Sequence, residues 1–270
     1  MIGFNHLGKL GQLGNQMFQY AATKGIAAHR GYDMCIPQHD EVFPDGIGNL
    51  LKIELDNAFT IHSQRGIVGR SFAEQLSVIP EGIFQFNEYL FNNCPDNVSL
   101  YGFFQTEKYF KHIEDEIRKD FKFNSTIQKE CEPIVDEVFD QSPIALHIRR
   151  GDFLINSGNH YNLSLEWYEK SLSKFDSDRE VILFSDDPLW ISSQELFKPD
   201  RFIISEGNSS YHDLYLMTQC SDFIIANSTF SWWGAWLANT GRVIAPSKWF
   251  GPNNAHLNTQ DLYPEHWEII

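Results

Sequence analysis

Five short apolar runs, rich in β-branched residues, punctuate the second half of the chain: Ile144–Ile148, 181–184, Phe202–Ile204, 223–226 and Val243–Ala245. Between them lie segments of helical character, 165–175, 188–197, 212–220 and 229–239. Strands alternating with helices at a spacing of about 20 residues predict βαβ units and a parallel sheet. The runs are apolar throughout, as strands covered by helices on both faces must be. In an open sheet of this kind ligands bind beyond the carboxyl ends of the strands. Residues just after these runs are therefore the first candidates for function.

The first half opens in the same way. A brief strand over 2–4 leads into a Gly-rich turn and a helix expected over 15–29, which Gly31 is placed to end; Met34–Ile36 reads as the next strand. The stretch 38–97 is rich in Gly, Pro and Phe and gives no regular order. A second helix, expected over 125–140, precedes Gln141-Ser142-Pro143, which reads as a linker. The chain thus divides into two expected α/β lobes, 1–140 and 141–270, with a cleft between them.

With 270 residues, 42% of them hydrophobic, the chain can bury a sizeable core, which excludes fibrous and wholly disordered classes. Its 36 acidic and 21 basic residues give a net charge of −15 with no basic block. A broad nucleic-acid surface is excluded, and a small anion needs a local concentration of donors. The four cysteines (35, 94, 131 and 220) form no CxxC pair and read as reduced thiols of a cytoplasmic protein. The N-terminal segment lacks the pattern of a secretory signal, and no apolar run approaches the roughly 20 residues of a membrane span. Association with a membrane surface is left open.

The segment Leu146-His147-Ile148-Arg149-Arg150-Gly151-Asp152 is the most informative. With a strand period of two, His147 and Arg149 share a face, and Arg150, Gly151 and Asp152 lie on the loop beyond the strand's carboxyl end. Two guanidinium forks at that edge suit a diphosphate. The alternative is a pair of arginines neutralised by carboxylates such as Asp152. A second segment, Gly8 to Gln16, sets three glycines between strand and helix, with Asn15 as expected N-cap. Its spacing is not GxGxxG.

The third segment, Asn227 to Trp236, follows a strand and opens a helix. Ser228 and Thr229 offer hydroxyls and N–H groups there, either as a cap alone or as an anion site built on a cap. Trp232 and Trp236, at i and i+4, read as packing. Asp186 and Asp187 end a strand on the ligand edge, without the third oxygen ligand that a metal site would need. Asp213, near a helix start, either caps that helix or accepts the adjacent N–H donors of a guanine.

Taken together, GQLGNQMFQYA (11–21), GFFQTEKYF (102–110), HIRRGD (147–152), FSDD (184–187) and SDFIIANSTFSWWGAWLA (221–238) resemble, in order, the motif set of glycosyltransferase family 11, the bacterial-type α-1,2-fucosyltransferases. The resemblance implies a GT-B-like α/β fold with two facing Rossmann-like domains. The 141–270 lobe would bind GDP-fucose, and the 1–140 lobe would form the acceptor side, its pocket shaped by 38–97. It implies transfer of L-fucose from GDP-β-L-fucose to the 2-hydroxyl of a galactose-type glycan, free or lipid-linked, with inversion and no required metal. Carried over by residue, Arg149 would hold the β-phosphate, with Arg150 supporting it and His147 beside the nucleotide. Asp186 would belong to the donor site, Ser228 or Thr229 would donate to the diphosphate, and Asp213 would read the base. Asn15 would face the donor from the other lobe. Asp152 is either a general base or an ion-pair partner of the arginines. The competing readings are another linkage or a protein acceptor, and a non-catalytic sugar- or GDP-binding protein.

Overall fold

The computed structural model describes residues 1–37, 40–61, 66–67, 76–138 and 142–270, side chains at 66–67 and 137–138 excepted. The last two residues of the helix expected over 125–140, and Gln141, lie outside the described residues. Two compact units emerge: Met1–Asn124 with Leu257–Pro264, and Ser125–His256 with Glu265–Ile270.

The first unit contains β1 (Ile2–Gly3), α1 (Leu13–Arg30), β2 (Met34–Ile36), β3 (Phe43–Pro44), β4 (Leu50–Leu51), α2 (Leu55–Ala58), β5 (Gly66–Ile67), β6 (Ser77–Pro80), α3 (Glu88–Asn93), β7 (Val98–Tyr101) and α4 (Glu114–Asp120). Its main sheet has the order β5-β2-β1-β7-β6 and is parallel throughout. Helix α1 ends on Gly31, whose φ of 69° only glycine adopts freely and whose N–H returns to the Ala27 and Ala28 carbonyls. His29 and Arg30 in its last turn complement the helix dipole. Its start differs from expectation. The N-cap is Gln12, without a side-chain bond, and Asn15 lies inside the first turn. Burial of Leu13, not capping by Asn15, sets the first helical residue.

The second unit contains α5 (Ser125–Val138), β8 (Ile144–Ile148), α6 (Gly151–Ile155), α7 (Leu165–Leu172), β9 (Val181–Ser185), α8 (Pro188–Ser192), β10 (Phe202–Ile204), α9 (Ser210–Thr218), β11 (Asp222–Ile224), α10 (Thr229–Ala238), β12 (Val243–Ala245) and β13 (Glu268–Ile269). Its sheet, β10-β9-β8-β11-β12-β13, is parallel throughout. Ile144, Leu146 and Ile148 pack one face with Val181, Leu183, Ile224 and Ile244, beneath Tyr168 and Leu172 of α7. Trp232 and Trp236 are buried and stacked, with Trp267 beside Trp232. Each such side chain contributes on the order of 1.5–3 kcal/mol by leaving water. Helix α5 packs on α9, where Glu130 Oε2 lies 2.7 Å from His212 Nε2. The division between units therefore falls after Asn124, one helix before residue 140.

The order of strands creates a switch point in each sheet. From β8 the chain runs outward through β9 and β10, then returns to the other side of β8 as β11 and β12. From β1 it runs through β2 to β5, then returns as β6 and β7. The carboxyl ends of β8 and β11, and of β1 and β7, are thus the places where crossover loops part and leave a crevice.

Candidate functional site

The switch point of the second unit gathers most of the residues singled out from the sequence. Arg149 and Arg150 leave β8, while Asn227, Ser228 and Thr229 follow β11 and open α10. Arg149 is held on two sides. Its Nη2 lies 2.7 Å from Asp152 Oδ1, and its Nη1 lies 3.2 Å from Asp186 Oδ2. The Phe153 ring sits beneath the guanidinium at 5.5 Å, and His160 stacks on that ring at 4.0 Å. Arg150 donates its backbone N–H to Asp186 and its Nε–H to Asp187, at 2.9 and 3.1 Å. Its guanidinium lies over the Trp190 ring at 3.8 Å, a cation–π contact. Asp187 also caps α8 by accepting the Trp190 N–H.

Sequence reading set ligand binding against neutralisation for this pair. The structure contains the neutralising contacts: three carboxylates surround two guanidiniums. Each guanidinium carries five N–H groups, so these contacts fix the forks without exhausting them. The Arg149 side chain is 21% exposed, so the fork reaches the surface of the site.

His147 is buried on β8, with Nδ1 2.8 Å from Ser231 Oγ and its ring against Phe230. Burial, then the nearby Arg149 charge, lowers its pKa to about 3, so the imidazole is neutral. Ser231 in turn reaches the Ser228 carbonyl. Ser228 caps α10, accepting the Phe230 N–H. Asn227, which the sequence reading did not single out, donates to the Tyr161 and Trp249 carbonyls at 2.8 Å each, tying two loops to the end of β11. Trp190, Phe153 and His160 were also missed, since no spacing rule pairs them with the arginines.

Asp213 does not cap its helix; Ser209 does, through the His212 N–H. Asp213 instead accepts the Ser205 hydroxyl at 2.6 Å and a bond from Asn208. Burial raises its pKa to about 6, opposed by those bonds. Asn15 belongs to the first unit, where its Oδ1 accepts the Gln105 Nε2–H at 2.9 Å. There Gln16 spans the glycine loop, bonding the Gly11 and Lys52 carbonyls and the Glu54 N–H.

The four cysteines are free and buried. Among the described residues, no group of three His, Cys, Asp or Glu side chains is arranged to hold a metal ion. No helix among them is long and apolar enough to cross a membrane.

Two parallel sheets, one in each unit, define an α/β protein, and in the second unit a fixed guanidinium and a helix N-terminus lie at the sheet's switch point. The sequence profile of Glycosyl transferase family 11 matches residues 2–270. The chain belongs to this family. It is 30% identical to the O-antigen biosynthesis glycosyltransferase WbnK of Escherichia coli, over 94% of this chain and 97% of the relative. It is 29% identical to an alpha-1,2-colitosyltransferase of the same organism, over 96% of each. Among solved structures it resembles NodZ alpha-1,6-fucosyltransferase soaked with GDP-fucose, with a TM-score of 0.56 and 16% identity over 95% of this chain and 97% of that one. POFUT1 in complex with GDP gives a TM-score of 0.56 and 14% identity over 90% and 96%. These likenesses bear on fold alone, and the GT-B-like α/β class expected from the sequence is the one found.

Proposed function

We propose that the protein is an inverting fucosyltransferase, moving L-fucose from GDP-β-L-fucose to the 2-hydroxyl of a galactose-type glycan. One observation carries the reading. In a chain of net charge −15, two ordered guanidiniums and a helix N-terminus converge on one sheet switch point. A diphosphate is the ligand that such donors suit.

The reaction breaks the bond between fucose C1 and the β-phosphate oxygen and forms one from C1 to the acceptor's 2-oxygen, whose proton passes to solvent as negative charge is left on GDP. Arg149 is assigned to that charge, with Arg150 and the Ser228–Thr229 helix start supporting it. Preorganised donors of this kind are worth about 10²–10³ in rate each. Asp152 and Asp186 hold the Arg149 fork in one orientation, so little reorganisation is needed as charge develops. The ion pair favours Asp152 as a positioning group over a general base. His147 is read as acting through Ser231 on the start of α10. Ionised Asp213, braced by Ser205 and Asn208, is assigned to guanine, and Asn15 of the first unit to the donor. The reaction is proposed to need no metal, to take place in the cytoplasm, and to use a free or lipid-linked acceptor.

The similarity to a colitosyltransferase supports a second donor, GDP-colitose. The experiment incubates purified protein with either donor, EDTA and a panel of galactosides including lactose, and determines the linkage of any product. An α-1,2-fucosyl product formed in EDTA is the expected result. No transfer from either donor, despite GDP binding, would leave a nucleotide-binding protein.

A further inference from the structure

The first unit has a switch point of its own, and its chemistry is different. Asn5 and His6 follow β1, and residues 102–105 follow β7, the strand alongside. The loop after β7 is fixed by a buried acidic side chain. Glu81 accepts the Phe103 and Phe104 N–H groups, both at 2.9 Å. Phe104 has a φ of 54°, a left-handed conformation that a non-glycine residue adopts at a cost. A Cβ on Gly102 would meet the Glu81 side chain at 2.5 Å, so the clamp requires glycine there.

What the clamp presents is a group with an unmet need. Gln105 is only 7% exposed, and its Nε2 is committed to Asn15. Its Oε1 is buried without a partner among the described residues, as is His6 Nδ1. Buried acceptors left unpaired cost about 1–3 kcal/mol each, so such atoms await a donor. The His6 ring stands edge-on to Tyr101 at 4.8 Å, and Tyr101 is 40% exposed. Burial, then the charge of Lys9, lowers the His6 pKa, so this imidazole is neutral.

We propose that the carboxyl ends of β1 and β7 bind a neutral sugar ring, the galactose of the acceptor. Its hydroxyls bond His6 Nδ1 and Gln105 Oε1, and an apolar face lies against Tyr101. Uncharged acceptors beside an exposed aromatic ring match hydroxyl groups on a sugar, and they offer a phosphate nothing. The arginine cluster of the second unit has the opposite character. This inference rests on the transfer reaction proposed above and adds the residues that select its acceptor.

The test uses the full chain, with lactose as probe. His6→Phe keeps a ring edge on Tyr101 and removes the nitrogen, and Tyr101→Leu removes the platform. Saturation-transfer NMR reads lactose binding without turnover, initial rates give KM for lactose and for GDP-fucose, and GDP affinity by calorimetry reports that each variant is folded. Both variants are expected to weaken lactose about 5–10-fold, with GDP affinity within twofold of the parent. Unchanged lactose binding in both, or no lactose binding to the parent, overturns the site. A rise confined to the KM for GDP-fucose also overturns it, because the ring held there is then the donor's fucose. Lactose binding that falls in the variants while the parent transfers nothing supports the site and sinks the transferase reading instead.

Discussion

Asp152 holds the guanidinium of Arg149 through an ion pair of 2.7 Å, from a position three residues further along the same strand-to-helix turn. An acidic group beside the arginine assigned to the leaving phosphate is therefore engaged before any substrate arrives. Its effect on rate should run through the arginine. Asp152→Asn is expected to lower kcat/KM roughly tenfold, to weaken GDP binding, and to leave the shape of the pH–rate profile unchanged. Loss of the acidic limb, where rate rises with pH as a base deprotonates, would make Asp152 a general base.

Arg149 itself should tolerate no replacement. Arg149→Ala is expected to lower kcat by about 10²–10³ or more. Arg149→Lys should recover little, because an ammonium cannot meet Asp152, Asp186 and a phosphate with one planar fork. Steady-state rates with GDP-fucose check both variants.

Base recognition should depend on pH in one direction. Asp213 must be ionised to accept two N–H donors from guanine, and burial raises its pKa to about 6. GDP affinity is therefore expected to fall as the pH drops below about 6. Asp213→Asn should weaken GDP about 10–100-fold at neutral pH, with little effect on ADP. Calorimetric titration of both nucleotides across pH 5–8 measures this.

Two buried groups give stability opposite pH slopes. His147 has a depressed pKa of about 3, so its contribution is present above the unfolded value near 6.5 and is lost as pH falls towards 3. Glu81 is raised to about 7 by burial, against the two amide bonds that favour the ionised form. Its contribution is present below the unfolded value near 4.5 and is lost as pH rises through 7. The two oppose each other between 4.5 and 6.5. Urea unfolding of His147→Asn should thus show less acid destabilisation, and that of Glu81→Gln a flatter profile between pH 6 and 8.

Glycine is normally a weak point inside a helix, and alanine improves it by up to about 1 kcal/mol. Gly25 should reverse that sign. A Cβ there would stand 2.0 Å from the Tyr109 carbonyl oxygen, which belongs to backbone and cannot yield. Gly25→Ala is expected to destabilise by about 1–3 kcal/mol in denaturant unfolding.

The rhythm of the second unit was legible because its strands are buried on both faces. Ile144–Ile148, Phe202–Ile204 and Val243–Ala245 were read with the bounds the structure gives. Glu268–Ile269 was not, being too short for a pattern and separated from the other strands of its sheet. In the first unit Ser77–Pro80 escaped notice because most of it is exposed and a proline ends it, and Val98–Tyr101 because a buried serine, Ser99, interrupts its apolar run. At the site, residues adjacent in sequence were found: Arg149, Arg150 and Asp152 lie on one turn. Partners brought in by folding were not. Trp190 over Arg150, Ser231 on His147 and Glu81 on the 102–104 loop join segments that no local spacing connects. Asn15 was misread as a cap because its residue type suits that role, whereas the buried Leu13 decides where the helix begins.

A crystal structure of the protein with GDP bound examines the reading at its foundation. The β-phosphate is expected within about 3 Å of an Arg149 nitrogen, beside the first N–H groups of the helix that begins at Thr229. A nucleotide lodged elsewhere, with Arg149 still closed on Asp152 and Asp186 and touching no phosphate, would contradict it.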